Sequence, residues 1–209
     1  MRRIIFFLLS VLCLIPAGAA KKTTNSVEAR KVFDKVYNMV YGPQGCSLHY
    51  EVNIISLYKT SGNISFKEKK QRFSDERVDT WNDGKTAYMV YRKKKTIEIH
   101  EANSDKKDKY SGKFKFDVED FDYSMKREGE NLILMLKQHK GAKGTIKEAR
   151  LTLDSKTLYP SHVKVKVAFI WANIYISNFR SGGIQDNLFV FPRNRYGSEY
   201  KYVDKREKQ

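Results

Sequence analysis

The residues that could catalyse a reaction in this chain are few, and none of them forms a recognisable catalytic pattern. The four histidines are His49, His100, His139 and His162, and none stands in a nucleophile or zinc-protease motif. Cys46 follows a glycine in a predicted loop, without a helix start beside it to lower the pKa of its thiol. We therefore expect Cys46 to be a shielded thiol and the protein not to be an enzyme, although an enzyme acting on glycan or lipid is kept as a weaker alternative.

Two pairs of alternating residues could in principle bind a metal ion. His49 and Glu51 share one strand face, and Glu98 and His100 share another. Zinc would be coordinated if the two strands met, because imidazole and carboxylate groups are common zinc ligands. A strand with one solvent-exposed face gives the same alternation of polar residues. The interpretation that we prefer is therefore that the protein has no metal and no cofactor.

Basic side chains are in large excess, since 40 Lys and Arg face 24 Asp and Glu among 209 residues, a formal net charge of +16. Such a charge favours an anionic partner, which could be nucleic acid, a membrane surface or an acidic ligand. The basic runs fall at predicted turns and strand ends, where lysine also discourages pairing between sheet edges. The runs are residues 67–72, 92–95, 106–109 and 137–143. A contact with anionic lipid headgroups is the functional alternative.

The first twenty residues predict that the protein is exported. Arg2 and Arg3 precede an apolar run, and small residues follow it at 17–20. A basic start, a short apolar core and small residues at a cleavage site are typical of a secretory signal peptide. We expect residues 1–20 to be removed, Cys13 with them, which leaves nucleic acid out as a partner. Later segments are too short in apolar sequence for a membrane-spanning helix.

One amphipathic helix is predicted over Ser26–Tyr41, because apolar residues recur there at spacings of three and four. Asn25 is expected to cap its first turn together with Glu28. Gly42 and the following proline end the helix.

Beyond the helix the pattern changes to the two-residue period of β-strands, with turns at 60–63, 82–84 and 127–130. Short strands at this spacing predict an antiparallel sheet that is curved or barrel-like. A loop with a short helix is expected over 103–123, a single domain over 24–204 and a C-terminal tail over 205–209. The predicted strands are 48–54, 63–69, 71–80, 85–91, 96–101, 123–126, 132–137, 146–153, 161–169, 171–179 and a short one at Phe189 and Phe191.

Two segments, 132–136 and 168–172, are apolar at every position. A strand with two apolar faces is expected to be buried on both sides or to border a cavity. A cavity lined in this way would suit an acyl chain, which needs no polar partners and is stabilised by roughly 0.8 kcal/mol per buried CH₂. An ordinary hydrophobic core is the alternative.

The order and spacing of several motifs resemble the periplasmic outer-membrane lipoprotein carriers of the LolA family. Each motif alone is weak, but together they cover nearly all of residues 27–206. The motifs are the helix 29–36, the strand 62–67 with Phe73, the hairpin 83–86 with Tyr88, the pair 151–154 and Pro160, and the closing segments 189–191, 196–199 and 203–206.

The resemblance implies a mainly β fold, an unclosed antiparallel β-barrel of about ten to eleven strands with an N-terminal helix and short helices packed in its concave side. It implies a soluble, monomeric periplasmic carrier that binds acyl chains of lipoproteins, or another envelope lipid, between an inner-membrane donor complex and an outer-membrane acceptor. The expected lipid-binding residues are Phe33, Val36, Tyr37, Tyr50, Val52, Ile54, Trp81, Tyr88, Val165, Val167 and Ile174. Their strand faces rest on alternation, which a shift of one residue would reverse.

The chain departs from the family at the end of the strand that closes on Lys67. Glu68 and Lys69 stand where proteobacterial members often have Arg and Pro, and Gly197 stands where the closing motif often has Pro. The arginine is linked in the family to lid closure and cargo handover, so the resemblance implies the family fold for this chain but not that handover mechanism. A lipid sensor or regulatory protein with the same fold is the alternative function.

Overall fold

The computed structural model describes residues 24–54, 58–104 and 117–206. Its one long helix in these ranges, α1, spans Thr24–Tyr41. This confirms the predicted helix and places its start two residues earlier. The predicted signal peptide, most of the expected loop after Asn103 and the last three residues of the tail lie outside the described ranges.

Twelve strands follow α1 and join in one sheet. In chain order they are β1 Cys46–Ile54, β2 Tyr58–Lys67, β3 Lys70–Asp75, β4 Val78–Asn82, β5 Thr86–Tyr91, β6 Thr96–Glu101, β7 Phe121–Glu128, β8 Asn131–Gln138, β9 Ile146–Asp154, β10 Pro160–Val167, β11 Ile170–Ser181 and β12 Lys201–Asp204. Their spatial order is β12-β6-β5-β4-β3-β2-β1-β11-β10-β9-β8-β7.

The sheet is not closed, because β12 and β7 stand at its two ends. The predicted fold class, an open antiparallel barrel with an N-terminal helix, is therefore confirmed. Two details differ. The strands number twelve in the described residues, and β12, in a segment where no strand was predicted, pairs with β6 in parallel. The predicted strand at Phe189 and Phe191 is wrong, because a 3₁₀ turn spans Asp186–Phe189 instead.

The turn predicted at residues 60–63 is wrong, because these residues continue β2. Gly62 pairs with Tyr50 on one side and with Asp75 on the other. A Cβ atom added at Gly62 would lie 2.3 Å from the carbonyl oxygen of Ser74 and 2.8 Å from the Tyr50 hydroxyl. This glycine therefore marks a close approach within the sheet and not a turn.

The single strand predicted over 71–80 is divided into β3 and β4 by a turn at Asp75. The Oδ1 atom of Asp75 accepts hydrogen bonds from the backbone N–H of Arg77 at 2.7 Å and of Val78 at 2.9 Å. A side chain that satisfies two backbone donors stabilises a tight reversal. The predicted turn at Asp83 and Gly84 is confirmed in the same way, since Asp83 accepts from the N–H of Lys85 and Thr86 at 2.8 Å.

The strands predicted over 161–169 and 171–179 are joined by a hairpin loop. This loop lies inside segment 168–172, which was expected to be buried on both faces or to border a cavity. Val167 pairs with Ile170, so Ala168 and Phe169 form a two-residue hairpin loop. Phe169 is 84% exposed. In the other doubly apolar segment, Leu134 and Leu136 are buried as expected, whereas the residues between and beside them are only partly buried.

Hydrophobic residues are buried on both faces of the sheet. The larger cluster lies between α1 and the concave side and includes Phe33, Phe73 and Leu134. A smaller cluster around Trp81, Val90 and Ile97 lies on the opposite face. No helix within the described ranges has the length and apolar character needed to span a membrane.

Gly62→Ala is predicted to lower the free energy of unfolding by about 2 kcal/mol, because the added methyl group has to displace the β3 backbone or the Tyr50 ring. Urea unfolding followed by circular dichroism measures the change. Gly197→Ala is the control, because only the flexible Glu199 side chain lies close to its Cβ position. An equal stability of the two variants would contradict the close packing assigned to Gly62.

Candidate functional site

An apolar cavity of about 100 Å³ lies between α1 and the concave side of the sheet. Every side chain that lines it is aliphatic, aromatic or proline. The lining residues are Phe33, Val36, Tyr37, Val40, Tyr41, Leu48, Phe66, Leu136, Ile146, Ala149, Leu151, Pro160, Val163, Val165, Ile174 and Ile176. They come from α1 and from six strands, β1, β2 and β8–β11.

The helix supplies its apolar stripe to the cavity. Residues three and four apart lie on one side of a helix, so Phe33, Val36 and Tyr37 face the sheet together. The ring of Phe33 lies 5.2 Å from that of Tyr123 on β7, and the ring of Tyr41 lies 4.9 Å from that of Phe66 on β2. The two ends of the stripe thus pack on opposite sides of the cavity.

The floor of the cavity is formed where β9, β10 and β11 lie side by side. Val163 pairs with Leu151 and with Ile174, and Val165 pairs with Ala149 and with Ala172. Paired residues of neighbouring strands share a face. This register therefore collects short, branched side chains below the middle of α1.

The N-terminal end of α1 is attached to β7, the strand at one end of the sheet. The Asn25 side-chain amide donates to the Met125 carbonyl oxygen at 3.0 Å, and its oxygen accepts from the Met125 N–H at 3.0 Å. Arg30 pairs with Glu119 at 2.8 Å, and although burial opposes it, this hydrogen bond raises the Arg30 pKa. The two hydrogen bonds of Asn25 replace the capping expected of it. They satisfy the backbone N–H and carbonyl of Met125, a residue of the edge strand β7.

Five of the eleven residues expected to bind lipid line the cavity: Phe33, Val36, Tyr37, Val165 and Ile174. Tyr50, Val52 and Ile54 share the concave side and are buried in the larger cluster, but only Leu48 of that strand reaches the cavity. Val167 is partly buried against the same cluster and lies outside the lining. A lipid-binding role for any of these residues stays a prediction.

Trp81 and Tyr88 lie on the opposite face of the sheet and not with the cavity residues. They pair across β4 and β5, so they share a face, while Met89 next to Tyr88 packs in the larger cluster. Sequence alternation shows that Trp81 and Tyr88 belong together but does not show which face they occupy. The expectation that they line the cavity is therefore corrected.

The two candidate zinc pairs are far apart, because four strands separate β1 from β6 in the sheet. His49 lies 3.1 Å from the Asn63 side-chain oxygen, and His100 lies 3.2 Å from a Glu98 carboxylate oxygen. The described residues contain no group of three or more potential metal ligands.

Cys46 is fully buried at the start of β1, not in a loop, and burial raises the pKa of its thiol to about 12.

The sequence profile of the family described as "Outer membrane lipoprotein carrier protein LolA" matches residues 20–168. The chain belongs to this family. The members of this family are described as outer-membrane lipoprotein carriers. The resemblance noted in the sequence is thereby confirmed, while no curated protein matches the chain.

Solved structures are similar to the chain over most of its length at low identity. A DUF1329 family protein from Desulfovibrio piger is 12% identical, with a TM-score of 0.42 over 84% of this chain and 100% of that one. A LolA superfamily protein from Nitrosomonas europaea is 7% identical, with a TM-score of 0.41 over 78% and 97%. A chain of the Pseudomonas aeruginosa MucA/MucB complex is 11% identical, with a TM-score of 0.46 over 84% and 63%.

In this LolA-family chain a C-terminal strap, defined as residues 185–204, covers the face of the sheet opposite to α1. The Phe191 ring stacks on Tyr88 at 4.3 Å between centroids and on Tyr196 at 5.3 Å. Trp81 packs edge-on against the Phe191 ring of this stack. The Arg72 guanidinium lies 3.8 Å from the centre of the Trp81 ring. The closing aromatic residues that resemble the LolA family therefore stabilise this face and do not contribute to the cavity.

A charged group, centred on Asp79, lies beneath the strap. Arg72 donates to its carboxylate at 3.1 Å, and Arg92 donates to the other oxygen. Burial lowers the Arg72 pKa. Although burial also disfavours the charged carboxylate, hydrogen bonds from Ser74 and the two arginines hold the pKa of Asp79 below its ordinary value. The pair of arginines is thus neutralised in part by one buried acid.

The position at which this chain departs from the LolA family lies where helix, sheet and strap meet. Glu68 takes a positive φ of 51° in the β2–β3 turn, and its N–H donates to the carbonyl oxygen of Tyr41 at the end of α1. Lys67 donates to the Ile184 carbonyl oxygen at 2.9 Å and pairs with Asp186 at 2.9 Å. Lys67 therefore binds the strap, and Glu68 holds the C-terminal end of the helix through its backbone.

Asp79→Asn is predicted to lower the free energy of unfolding by about 3 kcal/mol at pH 7, because it leaves two arginines without their carboxylate. A carboxyl group whose pKa is lowered by folding stabilises the protein fully above its unfolded pKa, about 3.9, and this contribution is lost as the pH falls through the lower folded value. The difference from the wild type should therefore narrow below about pH 4.

Urea unfolding between pH 7 and pH 3 measures this difference. Asp122→Asn is the control, because Asp122 is exposed and pairs with His139 at the surface, where ion pairs contribute little. A difference between Asp79→Asn and the wild type that stays constant down to pH 3 would show that the carboxylate charge is not what stabilises this group.

Proposed function

We propose that this protein is a soluble periplasmic carrier that shields acyl chains of lipoproteins, or of another envelope lipid, on the way to the outer membrane. The observation that carries the proposal is the cavity between α1 and the sheet, whose lining is entirely apolar or aromatic. Membership of the LolA family supports it. The predicted signal peptide at residues 1–20 supplies the route to the periplasm.

An apolar cavity suits an acyl chain because both lack hydrogen-bonding groups. Transfer of a methylene group from water contributes roughly 0.8 kcal/mol, so affinity grows with the length of chain that is enclosed. The described cavity has no charged residue in its lining that would select a headgroup. The function therefore requires binding and release but no catalytic step.

The size of the cavity indicates how loading would occur. Its volume, about 100 Å³, is well below the roughly 300 Å³ at which ordinary ligand pockets begin. The described structure thus corresponds to the closed form of the carrier, and an acyl chain enters when α1 moves away from β9–β11. The contacts of Asn25 and Arg30 at one end of α1 are those that such a movement has to break.

The family also suggests the partners between which the cargo passes. We propose an inner-membrane donor complex and an outer-membrane acceptor, with the carrier acting as a monomer. With Glu68 and Lys69 in place of the family's Arg and Pro, closure of the cavity rests on the contacts of Asn25, Arg30 and the Glu68 backbone.

Val165→Phe is predicted to weaken binding of a fluorescent fatty acid at least tenfold, because the larger side chain fills the floor of the cavity. Fluorescence titration of the purified chain measures the affinity. Val167→Phe is a matched control on the same strand and the same face, but outside the cavity lining. Val165→Glu should abolish binding, and unchanged affinity in both Val165 variants would refute the cavity as the binding site.

Asn25→Ala is predicted to speed the association of the same fatty acid by roughly fivefold, because it removes two hydrogen bonds that hold α1 on β7. Stopped-flow fluorescence measures the rate. Ser177→Ala serves as the control, because Ser177 is an exposed residue of β11 that pairs with His49 of β1. An association rate that is unaltered in Asn25→Ala would mean that opening of this end of the helix does not limit loading.

A further inference from the structure

The β10–β11 hairpin ends in an apolar tip that folding alone does not explain. The hairpin tip, defined as Ala168, Phe169 and Ile170, carries the most exposed large hydrophobic side chain of the described residues, since Phe169 is 84% and Ile170 is 39% exposed. Large apolar side chains at the end of a hairpin gain nothing from the core. An exposed apolar group of this kind marks a contact with another molecule or with a membrane.

The backbone of the tip makes the choice of residues more informative. Two-residue hairpin loops favour Gly, Asn or Asp, because at least one position takes a positive φ. Here that position is Ala168, with φ of 53°. A small polar loop would fold more readily and would be more soluble, so the apolar pair is costly for the isolated protein. Such an outlier supports a functional role.

Cations surround the base of the tip. The ring of Trp171 is flanked by Lys164 at 4.9 Å, Arg150 at 5.2 Å and Lys166 at 5.7 Å. Glu148, which pairs with Lys166 across the strands, forms an ion pair with Arg150 at 2.7 Å. The hairpin tip is therefore apolar, and at its base lie the Trp171 ring and an excess of basic side chains.

The neighbouring loop extends the positive surface at the same end of the sheet. Val167 at the end of β10 pairs with Ile146 at the start of β9, so the β8–β9 loop lies beside the hairpin tip. Lys140 and Lys143 of that loop are exposed. Beside them His139 pairs with Asp122 at 3.0 Å.

We propose that the hairpin tip inserts into the surface of an anionic lipid bilayer, with the lysines and Arg150 on the headgroups. Tryptophan and other aromatic side chains are stabilised at the interface between headgroups and acyl chains. Each basic residue near an anionic bilayer strengthens the electrostatic attraction to its surface, whereas a neutral bilayer exerts no such attraction. The charge complementarity selects the anionic membrane over a neutral one, and the contact does not depend on acyl cargo in the cavity.

Flotation of the purified chain with phosphatidylglycerol/phosphatidylcholine vesicles tests the proposal, with pure phosphatidylcholine vesicles for comparison. Binding should be confined to the anionic vesicles and weaken with salt. Phe169→Ser should weaken it about tenfold. The double variant Lys164→Gln/Lys166→Gln should weaken it several-fold more than Lys93→Gln/Lys94→Gln, a pair in the exposed 3₁₀ turn after β5.

Val190→Ser is the matched control for the apolar substitution, because Val190 is 61% exposed and lies in the C-terminal strap. Its binding should equal that of the wild type. The absence of wild-type binding to anionic vesicles would overturn the proposal and leave a protein partner for the tip. Equal losses in Phe169→Ser and Val190→Ser would overturn it as well.

Quenching by brominated lipids locates the contact independently. Trp171 should be quenched on anionic vesicles, whereas Trp81 is buried under the strap and should not respond. Fatty acid titration of Phe169→Ser separates the two functions: unchanged affinity with lost vesicle binding supports the tip as a membrane contact. Quenching that is absent in the wild type, despite flotation, would place the contact elsewhere and overturn the proposal.

Discussion

The cavity exists because α1 rests on the sheet at its two ends and bridges the strands between them. At its N-terminal end Asn25 and Phe33 contact β7, and at its C-terminal end Tyr41 contacts Phe66 of β2. Five strands lie between β7 and β2 in the sheet. Six strand spacings of about 4.8 Å span roughly 29 Å, and an 18-residue helix is about 27 Å long. The helix is thus nearly as long as this width, and β9–β11 form the floor below its middle.

The number of strands that one helix can cover explains the strap. A helix about 10 Å across cannot cover both faces of twelve strands, so apolar side chains on the far face of β4–β6 need another cover. The strap supplies it with Phe191, which stacks on Tyr88, with Tyr196, which stacks on Phe191, and with a short parallel strand beside β6. Lys67 and its neighbour Lys70 fix the start of the strap through Asp186.

Sequence patterns predicted the parts of the fold that depend on local periodicity. The stripe of α1 and the alternation of β1 are properties of neighbouring residues, and both elements were found within two residues of their predicted ends. Gly62 was misread because a glycine that permits close packing looks, in sequence, like one that permits a turn. The β12 strand could not be predicted, since its polar residues gain their pairing only from β6, about a hundred residues earlier in the chain.

Only some of the residues that line the cavity could be predicted from the sequence, for a related reason. Alternation groups Leu48 with Tyr50 and Val52, but which of them reaches the cavity depends on where α1 crosses β1. Trp81 and Tyr88 were assigned to the wrong face, because their cover comes from the strap and not from the helix. Ile146, Ala149 and Leu151 were not predicted to line the cavity, because nothing local shows that β9 lies below α1.

The physical nature of the cavity cover also makes binding reversible. A lipid site enclosed by strands alone would release an acyl chain only by breaking sheet hydrogen bonds. Here the cover is one helix, attached to β7 by the Asn25 side-chain amide and to Glu119, just before β7, by an ion pair. Its other end is attached to β2 by ring packing and to the turn after β2 by one backbone hydrogen bond. Those contacts can be broken and remade without changing the register of the twelve strands. A site with this cover can bind cargo by buried apolar area and still release it.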